Sequence, residues 1–506
     1  MEEKSKSGFF IKWLNGLEKV GNKLPHPFML FFYFTLTVIL ATALLSLLGV
    51  GTYHPATGER IEVLNLLSGE GIHRIFSTVL PNFTNFAPLG QVLVIMFAIG
   101  LLDRLGLLAN ILKSIVLAVP KRFITPMLVF VSVLSSVATD AGYVVLIPLG
   151  AALFASMKRH PIAGLAASFA GVAGGFGANL VITPGDALLG GISEAAAHAI
   201  DPTYTFNILG NWYFMIASVI LLTLVGTFVT EKIVEPRLGE YKGTADLSEI
   251  DERVSPEEKR AMKGAGVAFL ITAILLSLLI VPSWGPLRGE AEIVASPFFT
   301  HLIVVLFFLF LVPGIVYGKM TKQIKSNDDI AKNFIETMST MSGFVALAFM
   351  AGQFVGLFAQ SNLGAIIAIA GGNFLQEIGF TGFGLILSFV ILSAFVNLFI
   401  GSASAQWLIF APIFVPMLMQ LGYSPEFTQL AYRVGDSITN PISPLLTYFA
   451  LIIVFAQKYD KKAGMGTIIS TMVPYSIFFG IFWVALLGIW MIFALPIGPG
   501  AMIFLP

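Results

Sequence analysis

Long apolar runs separated by short clusters of charge dominate the chain. Uncharged stretches fall at 28–50, 88–102, 123–139 with 141–157, 161–185, 202–230, 264–287, 302–318, 337–376, 378–425, 437–457 and 465–506. A helix needs about 20 apolar residues to cross a bilayer, so these runs predict membrane spans, not core helices of a soluble domain. Several are too long for one helix, or are split by glycine, proline or a single charge. Those predict broken spans as well as plain ones. The first run, Phe28–Val50, is too long for the apolar region of a cleaved signal (about 7–15 residues) and lacks a small-residue cleavage pattern. It predicts a retained first helix.

The charges between the runs give an orientation. Lysines crowd the N-terminus (Lys4, Lys6, Lys12, Lys19, Lys23), and basic residues recur at 231–263, at Lys319, Lys322, Lys325 and Lys332, and at 458–462, whereas 51–87 and 288–300 contain no lysine. By the positive-inside rule, the N-terminus and the basic segments lie in the cytoplasm, and 51–87, 283–300 and the C-terminus lie outside. The mixed-charge segment 231–263 reads as a solvated linker, with Ser255-Pro-Glu-Glu258 as a helix start.

Composition narrows the class. Of 506 residues, 56% are hydrophobic and 11% charged, against about 25% charged in soluble domains; mean hydropathy is +0.87. Net charge is zero without a basic tract, which argues against nucleic acid as a partner. No cysteine is present, so disulfides, iron–sulfur clusters and thiol chemistry are excluded. His26, His54, His73, His160, His198 and His301 are scattered without metal-ligand spacing, and there is no Walker loop. The fold class expected is an all-α polytopic membrane protein, and the function expected is secondary transport, not enzymatic.

A repeat is visible at a shift of 264 residues: Pro148 falls on Pro412, Pro161 on Pro425, and Asp140 on Ser404; Leu105-Gly106 matches Leu363-Gly364 at a shift of 258. The loop charges start the first unit from outside, near Pro88, and the second from inside, near Gly343. Units entered from opposite faces are inverted repeats, which build alternating-access carriers. The chain then divides into 1–87 (first helix and external loop), 88–230 (first repeat), 231–342 (linker and connecting helices) and 343–506 (second repeat).

Polar residues inside the apolar runs cluster at matching places in the repeats. The first half offers Asp140, the glycine-rich Gly171–Asn179, and Pro184-Gly185-Asp186. The second offers Asn397, Gly401-Ser-Ala-Ser-Ala-Gln-Trp407, and Arg433 to Pro441, with Asp436 and Asn440. A carboxylate at mid-bilayer costs about 2.5–3.5 kcal/mol on insertion scales, so chains keep one where it binds an ion, carries a proton or faces a wet cavity. Each residue also has a plainer reading. Arg433 and Asp436, three apart on a helix, would neutralise each other; Asp186 would mark a turn; Asn179 and Asn397 would cap broken helices; Trp407 would pack. Trp483 and Trp490 are expected at the lipid face or in the interfacial belt.

At these residues the sequence resembles the p-aminobenzoyl-glutamate transporter (AbgT) family. The resemblance runs nearly end to end, through Gly21-Asn-Lys-Leu-Pro-His-Pro27, Asn82–Gly90, His160–Ala166 and Thr230–Pro236. Its most specific blocks are Gly401–Trp407, Ala411–Met417, Tyr432–Ser437 and Pro496–Gly500. Within the family the chain looks most like the branch associated with efflux of sulfonamide antimetabolites.

The resemblance implies a homodimer in the bacterial inner membrane, each subunit with about nine transmembrane helices, two re-entrant hairpins and a bowl open to the cytoplasm. It implies an ion-coupled carrier of a small aromatic acid such as p-aminobenzoyl-glutamate, with sodium or a proton as coupling ion and no cofactor. Site residues carried over are Asp186, placed in the first hairpin, Ser404, Trp407, Pro425, Arg433, Asp436 and Pro444 along the substrate path. Asn397 and Asp436 fall at a sodium-type site. Arg433 would hold a carboxylate and Trp407 would stack on the aromatic ring. Asn179, Asn440 and Asp140 are further candidates for coupling, although at Asp140 other members carry a different acid or none. Alternatives are a sodium–dicarboxylate symporter of the same architecture, a pure sodium/proton antiporter, and a membrane enzyme or scaffold.

Overall fold

The computed structural model of the chain describes residues 25, 27–53, 60–138, 142–241, 254–289 and 296–505. Helix α1 (Pro27–Leu47) leaves Phe32, Leu36, Leu40 and Leu44 exposed and buries only Phe31, Val38 and Thr42. An apolar helix with so little protein around it suits a lipid surrounding. The stretch 51–87, expected as a loop, holds more structure. Strand β1 (Gly51–Tyr53) pairs antiparallel with β2 (Arg60–Glu62), and helix α2 (Gly69–Thr84) starts where the Ser68 side chain accepts the Gly71 N–H. Its apolar residues recur at helical spacing among polar ones, so no uninterrupted apolar run announces it.

The first repeat contains α3 (Ala87–Arg104), α4 (Leu107–Leu117), α5 (Ile124–Leu134), α6 (Ile147–Ser156), α7 (Pro161–Phe169), α8 (Pro184–Ala197) and α9 (Trp212–Val229). Three connecting helices follow: α10 (Pro256–Ser277), α11 (Leu302–Met320) and α12 (Asn327–Thr340). Helix α10 opens at the helix start expected from Ser255 to Glu258, and the two residues form a capping box there. The second repeat runs α13 (Ser342–Gln360), α14 (Leu363–Glu377), α15 (Gly382–Asn397), α16 (Ala403–Gln420), α17 (Pro425–Thr439), α18 (Phe449–Gln457) and α19 (Met465–Ile492). Among the described residues, eight helices are long and apolar enough to span a membrane, or nine if the pair Leu107–Leu117 and Lys121–Val137, bent by 118°, counts as one.

Side-chain contacts show that the repeats are inverted. Arg104, at the end of α3, pairs with Glu336 and bonds Asn333 at 3.0 Å, both shortly before α13 begins. Asn82, shortly before α3, donates to Gln353 at 3.2 Å and accepts from Gln360 at 2.9 Å, toward the far end of α13. The counterparts α3 and α13 therefore run antiparallel. The same holds for α9 and α19, where Phe214 meets Trp490 at 5.2 Å, the Trp483 indole donates to Ser218 Oγ at 2.8 Å, and the Thr230 and Tyr475 hydroxyls meet at 2.7 Å. Trp483, expected at the lipid face, is fully buried in this contact; Trp490 is half-buried.

Within each repeat several helices are too short to cross about 30 Å at 1.5 Å per residue, among them the segments Gly142–Ser156, Pro161–Gly174 and Gly382–Asn397. Helices α5 and α6 are read as the first hairpin, the counterpart of the second; residues 139–141 between them lie outside the described residues. Helices α15 and α16 form the second, its tip at 398–402. Helices α7 and α8 are two halves of a helix broken at 175–183, and α17 and α18 two halves broken at 440–448. Asp186 thus sits on the first turn of α8, beyond the first hairpin and not in it.

The crossing of α15 and α17 depends on a missing side chain. A Cβ on Gly435 would stand 2.4 Å from the Val390 carbonyl oxygen and 2.7 Å from Ser393 Cβ. Gly435→Ala is expected to force the helices apart and lower the melting temperature of the purified protein, since overpacking of this kind costs about 1–3 kcal/mol. An unchanged melting curve would mean that the crossing has slack.

Candidate functional site

The tip of the second hairpin, the first-repeat residues Ser136 and Tyr143, and both helix breaks converge on one place. Asn397, at the end of α15, donates to Asn440 Oδ1 at 2.7 Å, and Asn440 donates to the Ala173 carbonyl at 3.2 Å. The Gly177 N–H donates to Ser437 Oγ at 2.9 Å, and Ser136 donates to Asn179 Oδ1. Beside this junction lies a cavity of about 360 Å³ lined from both repeats, including Ser136, Tyr143, Phe176, Thr183 to Gly185, Gly401 to Ser404, Arg433, Asn440 and Tyr448. A second space of about 580 Å³ shares Pro184, Gly185, Leu188 and Ser404 with it and extends to Asp103, Arg104 and Thr337. That end of the molecule also carries Gln323, which bonds the Leu105 carbonyl at 3.2 Å and lies within the lysine-rich segment.

One part of the cavity wall is built for an anion. Helix α8 begins there with Pro184 in its first turn, and α16 begins there with Ser402 accepting the Ala405 N–H. Helix N-termini present free N–H groups and a positive dipole end. Arg433 adds a full charge, and its Nη2 donates to Asp186 Oδ1 at 2.5 Å with both side chains almost wholly buried, 4% and 3% exposed. Asp186 is also the N3 residue of a capping box: its Oδ2 accepts from the Thr183 N–H at 2.6 Å and the Thr183 hydroxyl at 2.8 Å. The plainer reading, a pair between Arg433 and Asp436, is not what forms. The arginine reaches across to the first repeat, and its Nε has no hydrogen-bond partner among the described residues.

The other side gathers negative charge and dipole ends. Helices α15 and α17 end there, and helix C-termini carry the negative dipole end. Asp436 is buried, with Tyr432 Oη and Asn440 Nδ2 each 3.4 Å from its carboxylate. The Asn397 amide nitrogen is held by the Asp436 carbonyl at 2.8 Å and Thr439 Oγ1 at 3.1 Å, which leaves Asn397 Oδ1 buried and without a partner among the described residues. An unpaired carbonyl oxygen, a carboxylate and helix-end carbonyls are the hard oxygen set a sodium ion accepts.

The remaining candidates fall as follows. Ser404 lines both spaces, with its Oγ 3.3 Å from that of Ser402. Pro425 is buried in the first turn of α17, and Pro444 is half-buried in the break after Asn440–Ile442. Asn179 lies in the first-repeat break, and its Nδ2 has no partner among the described residues. Asp140 lies outside the described residues. Trp407 is fully buried, with its indole N–H shared between the Leu189 carbonyl at 3.2 Å and Ser193 Oγ at 3.1 Å and its ring stacked on Tyr432 at 4.5 Å. The direct stack on a substrate ring expected of Trp407 is not offered by this arrangement.

Sequence reasoning passed over Tyr143, Tyr448, Ser136 and the buried chain Ser193, Gln429 and Asn211, in which Gln429 donates to Ser193 at 3.1 Å and accepts from Asn211 at 2.9 Å. Asn211, like Asn397, is an amide in an apolar run and could have been found in the same way, whereas Gln429 lies between Glu426 and Arg433, outside those runs. No such signal marks a tyrosine.

Inverted repeats of half-helices around a buried cavity, with arginine and helix N-termini on one side and a carboxylate and helix C-termini on the other, define a membrane transporter. Relatives agree. The chain belongs to the AbgT putative transporter family, whose profile matches residues 12–505. It is 39% identical over 498 residues to the p-aminobenzoyl-glutamate transport protein of Escherichia coli (strain K12), covering 98% of this chain and 97% of that one. Its structure is similar to that of the YdaH transporter of Alcanivorax borkumensis (TM-score 0.89, 42% identity, 94% of this chain and 100% of that one). It is also similar to MtrF of Neisseria gonorrhoeae, which illuminates a class of antimetabolite efflux pumps (TM-score 0.91, 43% identity, 97% and 100%).

Proposed function

We propose that this protein is an ion-coupled secondary transporter of p-aminobenzoyl-glutamate or related aromatic acids, working as a homodimer in the bacterial inner membrane with its N-terminus in the cytoplasm. The observation that carries this reading is the polarity of the central site: Arg433 and two helix N-termini face one cavity, and the Asn397–Asp436 cluster lies directly behind it. A carboxylate of the substrate would dock against the helix N-termini and Arg433, and the coupling cation would sit between Asn397 and Asp436. Arg433 is already paired with Asp186, so a substrate carboxylate must share or replace that partner. A proton is one coupling ion of this proposal. Sodium at Asn397 and Asp436 is the other coupling ion the site suits.

The 580 Å³ space reaches the lysine-rich end, which the positive-inside rule reads as cytoplasmic, and this supports an inward-facing reading of the arrangement. Moving a dianion inward against 100 mV costs about 4.6 kcal/mol, twice the 2.3 kcal/mol per charge. Import therefore needs more than two cations per cycle if the potential is to drive it. Export of the dianion is favoured by the potential and needs only one exchanged proton for further pumping. The likeness to MtrF favours the export reading, with sulfonamide antimetabolites as further cargo.

Flux of radiolabelled p-aminobenzoyl-glutamate in proteoliposomes, with imposed sodium or proton gradients, tests the proposal. Gradient-dependent flux in the wild type is expected. Absence of flux under every gradient would remove this substrate and favour the dicarboxylate symporter.

A further inference from the structure

The reading above needs a group that tells an aromatic acid from an aliphatic one, and Trp407 is not placed to be it. Its ring has no exposed surface, one face lies on Tyr432 at 4.5 Å and 26°, its N–H is bonded to α8, and it is absent from the cavity wall. Two other rings do line the cavity. Tyr143 leads into α6 in the first repeat, and Tyr448 ends the break before α18 in the second. Their rings are stacked with centroids 4.6 Å apart and planes 15° from parallel. They share the wall with Gly185 at the start of α8, Ser402 before α16, and Arg433. An aryl acid bound here would have its carboxylate at the helix N-termini and a flat apolar face within the same cavity.

We propose that Tyr143 and Tyr448, not Trp407, form the platform that recognises the arene, and that this pair sets the preference of the carrier for aryl over alkyl acids. The inference rests on the aromatic-acid reading of the site. Trp407 acts as a positioning residue: through Ser193 and Leu189 on α8 and Tyr432 on α17 it holds together the elements that carry Asp186 and Arg433. Each tyrosine comes from a different repeat, so the platform exists only when the first hairpin and the second break are docked as they are here. A bound arene would favour that docking.

The experiment compares binding of benzoyl-glutamate with that of acetyl-glutamate, which keeps the carboxylates and the amide and lacks the ring, to purified wild type and to Tyr143→Leu, Tyr448→Leu, Tyr143→Phe, Tyr448→Phe and Trp407→Phe. The readout is the ratio of the two dissociation constants, which general damage to the fold does not move. The ratio is expected to fall about two- to tenfold in the leucine variants, the range of one aromatic contact, and to persist in the tyrosine-to-phenylalanine variants. Trp407→Phe should weaken both ligands together. A wild-type ratio retained in both leucine variants and lost in Trp407→Phe would overturn the assignment. A wild type that binds acetyl-glutamate as tightly as benzoyl-glutamate would overturn the aromatic-acid reading itself, and the platform with it.

Discussion

Arg433→Ala is expected to abolish transport and to destabilise the protein by about 3–5 kcal/mol, the range for removing one partner of a buried ion pair. The loss has two parts that separate experimentally. Function should be lost because Arg433 puts a full positive charge on the cavity wall. Stability is lost because Asp186, 3% exposed, keeps its bonds from Thr183 and loses its only cation among the described residues. The double variant Arg433→Ala/Asp186→Ala removes both charges and should recover part of the stability while remaining inactive. Melting of the detergent-solubilised protein and flux in proteoliposomes measure the two parts. If the double variant were less stable than Arg433→Ala, the capping bonds between Asp186 and Thr183, which it also removes, would outweigh the unpaired charge.

Asp436→Asn is expected to remove the stabilising effect of the proposed coupling ion. On the proposed reading, a cation held by Asn397 and Asp436 would raise the stability of the wild type by about 2.7 kcal/mol at a concentration a hundred times its dissociation constant. The amide substitution keeps the size and a hydrogen-bond acceptor for Tyr432 but loses the charge. Melting curves in sodium chloride and in choline chloride, each at two pH values, should differ for the wild type and coincide for Asp436→Asn. Asn397→Ala should flatten the sodium response as well, because it removes the unpaired oxygen. A response retained in both variants would place the ion elsewhere in the chain.

Much of the fold was legible because the membrane imposes it. The long uncharged runs became helices, and Pro148, Pro161, Pro412 and Pro425 marked equivalent places in two repeats whose inversion the contacts of α3 with α13 and of α9 with α19 show directly. The run 378–425 could not be parsed by hydropathy. Its division at 398–402 into α15 and α16 reflects tip residues that leave the helix to approach other backbone: a Cβ on Gly401 would lie 2.2 Å from the Leu445 carbonyl oxygen. Helix α2 was missed for the opposite reason, since its polar residues hide its period from a test of continuous apolarity.

Asp186, Asn397, Arg433, Asp436 and Asn440 were identifiable one by one, because an ionisable or amide side chain in an apolar run needs a partner or a purpose. That argument depends on transfer free energy, a property of the residue and its local sequence. Which partner each takes does not. Arg433 and Asp436 are three apart in sequence, yet Arg433 bonds Asp186, 247 positions away; Trp407 is turned inward onto Tyr432; and Tyr143 and Tyr448 meet across the two repeats. The sequence by itself determined that the chain lives in a membrane, that it is built twice over, and which residues are too polar for lipid. The tertiary structure alone decided which of these share a cavity, because the breaks in four separate elements place them together, and contacts between distant segments leave no trace in local hydropathy or periodicity.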